Sequence, residues 1–129
     1  MKRIISTSNA PKAIATYSQA VEMNGFLYIS GQIPLDPVSG RLVEGGIEEQ
    51  TEQVMKNIGT ILEAAGYGFS DVIKSTCLLS DIRLFAAMNA VYGRYYPDHP
   101  PARAAFAAAA LPMGALVEIE TIAAKQGTL

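Results

Sequence analysis

The chain is poor in the residues that most often carry catalysis. It has one cysteine, Cys77, and one histidine, His99, among its 129 residues. A single cysteine excludes an internal disulfide, and one thiol with one imidazole is too small a set for a transition-metal site made by one chain. No metal is expected. Nothing in the sequence brings Cys77 and His99 together as nucleophile and base, and Cys77 sits in the apolar run Thr76-Cys77-Leu78-Leu79. It reads as a buried cysteine that behaves as a small hydrophobe. Basic excess is missing too: ten Lys and Arg against twelve Asp and Glu leave a net charge of −2. The basic residues are scattered rather than clustered, so no nucleic-acid partner is expected. No apolar run reaches membrane-spanning length, and the basic start Met1-Lys2-Arg3 leads into no long apolar leader core. The expected setting is the cytoplasm, without a membrane partner. There is neither an internal repeat nor a linker. Half the residues are apolar and 17% are charged, which describes a soluble globular chain. A single domain over 1–129 is expected, long enough to bury a core without disulfides.

What the chain does have is a clear order of elements. A short strand is possible around Ile4-Ile5. Ser18–Met23 and Phe26–Ser30 flank Asn24-Gly25, a dipeptide suited to the positive φ angles of a type I′ turn, and predict a hairpin. Gly31 to Gly40 is rich in turn residues and reads as an ordered loop leaving a strand end, with Ser30-Gly31 at the exit. A glycine there lets backbone N–H groups come close to a ligand, or only turns the chain. From Ile47 to Ala65, Val54, Ile58, Ile61, Leu62 and Ala65 recur at helical spacing. Glu48, Glu49 and Glu52 begin that helix and Gly66 stops it.

Val72 to Ser80 follows as a strand. Asp81 can cap a second helix carrying Leu84, Phe85, Met88, Val91, Tyr92 and Tyr95, with Asn89 and Arg94 off or at the margin of that stripe. Ala104 to Ala110 favours a helix by propensity, yet the run is short and bounded by Pro101 and Pro112. It is read as a strand that pairs as a hairpin with Leu116 to Ala124 through the loop Leu111 to Ala115. Alternation then puts Arg103, Ala105 and Ala107 on one face of the first strand and Glu118 with Glu120 on one face of the second. Whether those faces coincide depends on register. The sum is an α+β fold, a mixed sheet with two helices on one face. Its other face is left open and needs a partner.

Several blocks together resemble one family: Asn9-Ala10-Pro11 with Tyr17-Ser18-Gln19-Ala20, Ile29-Ser30-Gly31-Gln32-Ile33-Pro34, Glu49-Gln50-Thr51, Glu63-Ala64-Ala65-Gly66, Met88-Asn89-Ala90-Val91-Tyr92, Pro101-Ala102-Arg103 and Val117-Glu118-Ile119-Glu120. In combination they resemble the reactive-intermediate deaminases known as RidA or YjgF, also called L-PSP endoribonucleases or translation inhibitors. The resemblance runs nearly end to end. It implies a chorismate-mutase-like fold and a homotrimer with active sites between subunits. The implied reaction is hydrolysis of 2-imino acids, of the 2-iminobutanoate and 2-iminopropanoate type, to 2-keto acids and ammonia without a cofactor.

Carried onto this chain, the resemblance makes Arg103 the carboxylate anchor and Glu118 the residue that holds and deprotonates water. Tyr17, Ser30, Gly31, Asn89 and Ala105 would line the pocket. A planar guanidinium suits a carboxylate bidentately, and an ionised carboxylate suits a general base. Many deaminating members carry Arg-Ser-Cys where this chain has Arg103-Ala104-Ala105. Imine hydrolysis needs an activated water more than a protein nucleophile, so Ala105 is expected to alter substrate preference rather than abolish activity. Taken alone, Arg103 would more often be an ion-pair partner of Glu118 or Glu120, and Tyr17 and Asn89 packing or surface residues. Two other functions stand beside the deaminase: a non-catalytic trimer that binds a small carboxylate and regulates a partner, and an endoribonuclease, which the acidic chain disfavours.

Overall fold

Strand β6 (Val117–Ala124) shows how the sheet is divided. Val117, Ile119, Thr121 and Ala123 are buried, while Glu118, Glu120 and Ile122 alternate to the other side. The period of two that the sequence displays therefore separates an inner, helix-covered face from an open one. A computed structural model of the chain describes residues 1–125. The other strands are β1 (Arg3–Ile5), β2 (Ala20–Met23), β3 (Phe26–Gln32), β4 (Val72–Leu79) and β5 (Ala102–Ala107). They form one six-stranded sheet in the order β1-β2-β3-β6-β4-β5. All neighbours are antiparallel except β4 and β5, which run parallel.

Helix α1 (Ile47–Ala65) has the bounds that its periodicity predicts. Glu49 Oε1 accepts from the Gly46 N–H at 2.8 Å, closing the first turn, and Gly66 takes φ +85° at the end. Val54, Met55, Ile58, Ile61 and Leu62 are sealed from solvent, each stabilising the fold by about 1.5–3 kcal/mol through burial. Helix α2 (Phe85–Gly93) is shorter than expected. The Asp81 carboxylate does accept from the Arg83 N–H, but it caps a single 3-10 turn, Ile82–Leu84, that precedes the helix. Tyr95 falls beyond the helix end and bonds instead to Glu52 Oε1 at 2.5 Å. The Asn24-Gly25 turn has positive φ at both residues, 54° and 81°, as the type I′ geometry requires.

The alanine-rich segment is a strand against its helical propensity, but over Ala102–Ala107 rather than the expected Ala104 to Ala110, so that it starts two residues earlier and Ala108 to Ala110 fall outside it. Its partner, however, is not the one expected. β5 lies beside β4 in parallel register, Ser75 opposite Arg103 and Cys77 opposite Ala105, and β4 separates it from β6. The expected β5–β6 hairpin is absent because the connection carries a 3-10 turn at Pro112–Gly114, with Met113 and Gly114 both at positive φ. The chain is thereby carried from the edge strand β5 past β4 to the centre of the sheet. α2 serves as the crossover that parallel pairing requires.

Candidate active site

Register decides what the strands present. Arg103 shares a register position with Ser75, which is fully buried on the helix-covered face. Its side chain accordingly reaches to α2. Nη1 donates to Asn89 Oδ1 at 2.7 Å, and Cζ stands 5.1 Å from the Phe85 ring centroid and 5.0 Å from that of Tyr92. Ala105, two residues on, packs half-buried against the core on the same face. Its register partner Cys77 lies wholly inside, where burial pushes the thiol up to about 11 against the weaker opposing pull of the Arg103 charge. The Cys77 thiol is therefore an inert core group, as its apolar neighbourhood suggests.

Glu118 and Glu120 belong to the opposite face. Among the described residues the side-chain ion pairs are Arg3 with Glu22 and Arg83 with Asp81, and neither glutamate of β6 is paired with Arg103. Glu118 lies over Gly31: a Cβ built on that glycine would stand 3.0 Å from Glu118 Cδ and nearer still to Oε2. Gly31 thus acts by lacking a side chain, and its φ is not in the left-handed region. Burial, and after it the neighbouring Glu120 carboxylate, raise the Glu118 carboxyl above its ordinary value. Glu120 itself is exposed.

A cavity of about 540 Å³ opens over this pair. Tyr17, Ser30, Gly31, Glu118 and Glu120 line it, with Ile14, Ile33, Leu35 and Met113 as an apolar wall. Three buried amides hold that wall in place. Gln19 Oε1 accepts from the Thr7 N–H at 2.7 Å while Nε2 donates to the carbonyls of Thr7 and Pro11, tying the N-terminal loop to β2. Asn57 donates to Leu35 O at 3.0 Å, and Gln50 accepts from the Leu116 N–H at 2.8 Å just before β6. Such buried amides are costly unless bonded, and here their bonds go to loop backbone rather than to one another. Ser30 Oγ donates to Ser18 O at 2.6 Å; Ser30 and Gly31 are not at a loop exit as expected but inside β3, where the register with β6 shifts between Ile29 and Gln32.

The residues singled out from sequence therefore form two groups. Tyr17, Ser30, Gly31 and Glu118 meet at the cavity on the open face; Arg103, Asn89 and Ala105 meet at the β5 edge under α2. Within one chain the two groups do not meet. Sequence reading missed Phe85 and Tyr92 as neighbours of Arg103, because their spacing fits a core stripe. The available signal was that Asn89 stands four residues after Phe85 and three before Tyr92, which places all three on one helical face.

Fold and side chains together define a class: a small α+β protein with a half-buried carboxylate over one sheet face and, at its edge, a guanidinium that no carboxylate among the described residues neutralises, groups suited to a small carboxylate ligand. The chain belongs to the endoribonuclease L-PSP family, which it matches over residues 7–125. It is 54% identical to a 2-iminobutanoate/2-iminopropanoate deaminase of Capra hircus, over all of this chain and 93% of that protein. A RutC family protein of Pyrococcus horikoshii is 52% identical over 98% of this chain and its own full length. Among solved structures, RidA from an Antarctic Psychrobacter superposes with a TM-score of 0.92 at 46% identity, covering 95% of this chain and 99% of that one. The resemblance drawn from the motif blocks, and the α+β, chorismate-mutase-like fold it implied, are borne out.

Proposed function

We propose that this chain hydrolyses 2-imino acids of the 2-iminobutanoate and 2-iminopropanoate type to 2-keto acids and ammonia, at sites completed between the subunits of a homotrimer. The observation that carries the proposal is the separation of the two groups: an arginine with no carboxylate partner among the described residues on one sheet face and a half-buried glutamate in a cavity on the other. A site that uses both needs a second copy of the chain. Phe26, Tyr28 and Phe106 are exposed on the open face, apolar surface that a partner copy would cover.

In this scheme Arg103 of one subunit grips the substrate carboxylate with its free N–H groups, and Glu118 of the next holds a water. Glu118 takes a proton as that water's oxygen bonds to C2 of the protonated imine, giving a tetrahedral carbinolamine. The proton then passes to the amine nitrogen, the C–N bond breaks, ammonia leaves and the hydroxyl proton is released as the carbonyl forms. A protonated imine is already electrophilic, so no step calls for a metal or a cofactor. Burial, and after it the Glu120 charge, raise the Glu118 carboxyl and so make its carboxylate a stronger base. Tyr17, Ser30 and the Gly31 backbone bound the same space, and Asn89 and Ala105 bound the Arg103 side.

An amino-acid oxidase that generates the imine, with semicarbazide to trap it, tests the proposal. The wild-type protein should lower the semicarbazone yield, and Arg103→Ala or Glu118→Gln should lose that effect by about two to three orders of magnitude. Undiminished trapping with the wild type would overturn deamination. If 2-ketobutanoate nevertheless bound through Arg103, the chain would be a carboxylate-binding module instead.

A further inference from the structure

Arg103 is exposed, yet its surroundings fix its direction. Phe85, Asn89 and Tyr92 make one stripe of α2, and the guanidinium is caught against both rings, 5.1 and 5.0 Å from their centroids, with one N–H held by Asn89 at 2.7 Å. Each of these partners orients the group without cancelling its charge: a ring face attracts a cation through its quadrupole, and an amide oxygen is neutral. An aspartate in their place would have neutralised the anchor. Asn89 engages one of five N–H donors, so the planar fork that recognises a carboxylate remains available. Tyr92 is itself immobilised, being buried with its ring 4.9 Å from that of Tyr96. Phe85 is half-buried at the outer side of the stripe.

We propose that Phe85 and Tyr92 are positioning residues that preorganise the Arg103 guanidinium for the substrate carboxylate, so that ring character at these positions sets carboxylate affinity. The inference rests on the deaminase reading for its ligand. An arginine free to rotate would have to be ordered at each binding event; one already stacked has less freedom to lose.

Titration of the product 2-ketobutanoate by calorimetry, beside steady-state kinetics in the trapping assay, tests this on Phe85. Phe85→Leu removes the quadrupole with little change in volume and should weaken binding about 3- to 30-fold. KM should rise by a similar factor while kcat stays within about twofold. Phe85→Tyr and Phe85→Trp should bind within about twofold of wild type. A residue that served only to pack would show the reverse order, with leucine tolerated and the larger tryptophan harmful. If Phe85→Leu binds like wild type while Arg103→Ala does not, the clamp is wrong and the carboxylate anchor stands. If Arg103→Ala also binds like wild type, the anchor falls, and the clamp with it.

Discussion

The two faces of this sheet treat their charged residues in opposite ways. On the helix-covered side, Arg103 is held by two rings and one amide and keeps its charge unpaired. On the open side, Glu118 sits over a glycine beside a second carboxylate, and burial raises its pKa. One device presents a cation ready for an anion; the other keeps a carboxylate basic. Neither is a stabilising arrangement of the kind seen at Arg3, whose guanidinium pairs with Glu22 at 3.0 Å and also reaches Ala65 O. A protein selected only for stability would have let such charges meet; these two are kept on separate faces.

The largest effect that could break this comparison is complementation. Arg103→Ala and Glu118→Gln proteins, each nearly inactive, should regain activity when unfolded together and refolded at equal ratio. In a trimer whose sites each draw Arg103 from one subunit and Glu118 from the next, about one quarter of the sites would carry both intact residues. The refolded mixture should then show about a quarter of the wild-type rate. No recovery, with trimers formed, would mean that one chain supplies both groups.

A smaller effect is expected from Gly31→Ala. The added methyl meets the flexible end of Glu118 rather than backbone, so the carboxylate can swing aside. Stability should fall by no more than about 1 kcal/mol, while kcat/KM drops about 10- to 100-fold because the base is displaced. Thermal melting together with kinetics separates the two; equal losses in both would point to a packing role for Gly31.

Glu120→Gln should give the mildest change. Removing the neighbouring negative charge lowers the pKa of Glu118, and a base must be ionised to act. The acid limb of the kcat/KM profile should therefore move to lower pH. An unmoved limb would separate Glu118 from the titration. The linkage has a definite sign: a carboxyl raised on folding favours the folded state below its unfolded pKa, and that contribution is lost as pH rises through the folded value. Glu118→Gln should accordingly melt no lower than wild type at neutral pH.

Much of this was legible in the residues. The period of 3.6 in Ile47–Ala65, the Asn24-Gly25 turn and the alternation in Val117–Ala124 are local properties, and the corresponding elements formed where the sequence put them. The two prolines correctly outweighed the helical propensity of the alanines in β5. The motif blocks carried the family. The partner of β5 was not legible, because a strand of small residues gives little pairing specificity and the positive φ at Met113, which with Gly114 carries the chain away, is not one its residue type favours. Nor were the roles of Gln19, Gln50 and Asn57, whose amides bond to backbone far along the chain.

Sequence by itself determined most of the elements, the alternation that puts Arg103 with Ala105 and Glu118 with Glu120, and, through the motif blocks taken together, the family. Alternation fixes which residues share a face, because neighbouring side chains on a strand point opposite ways. It leaves open which face of one strand continues that of another. Only the tertiary structure decided that Arg103 lies under α2 and Glu118 over the open face, since a one-residue shift in register reverses every side chain.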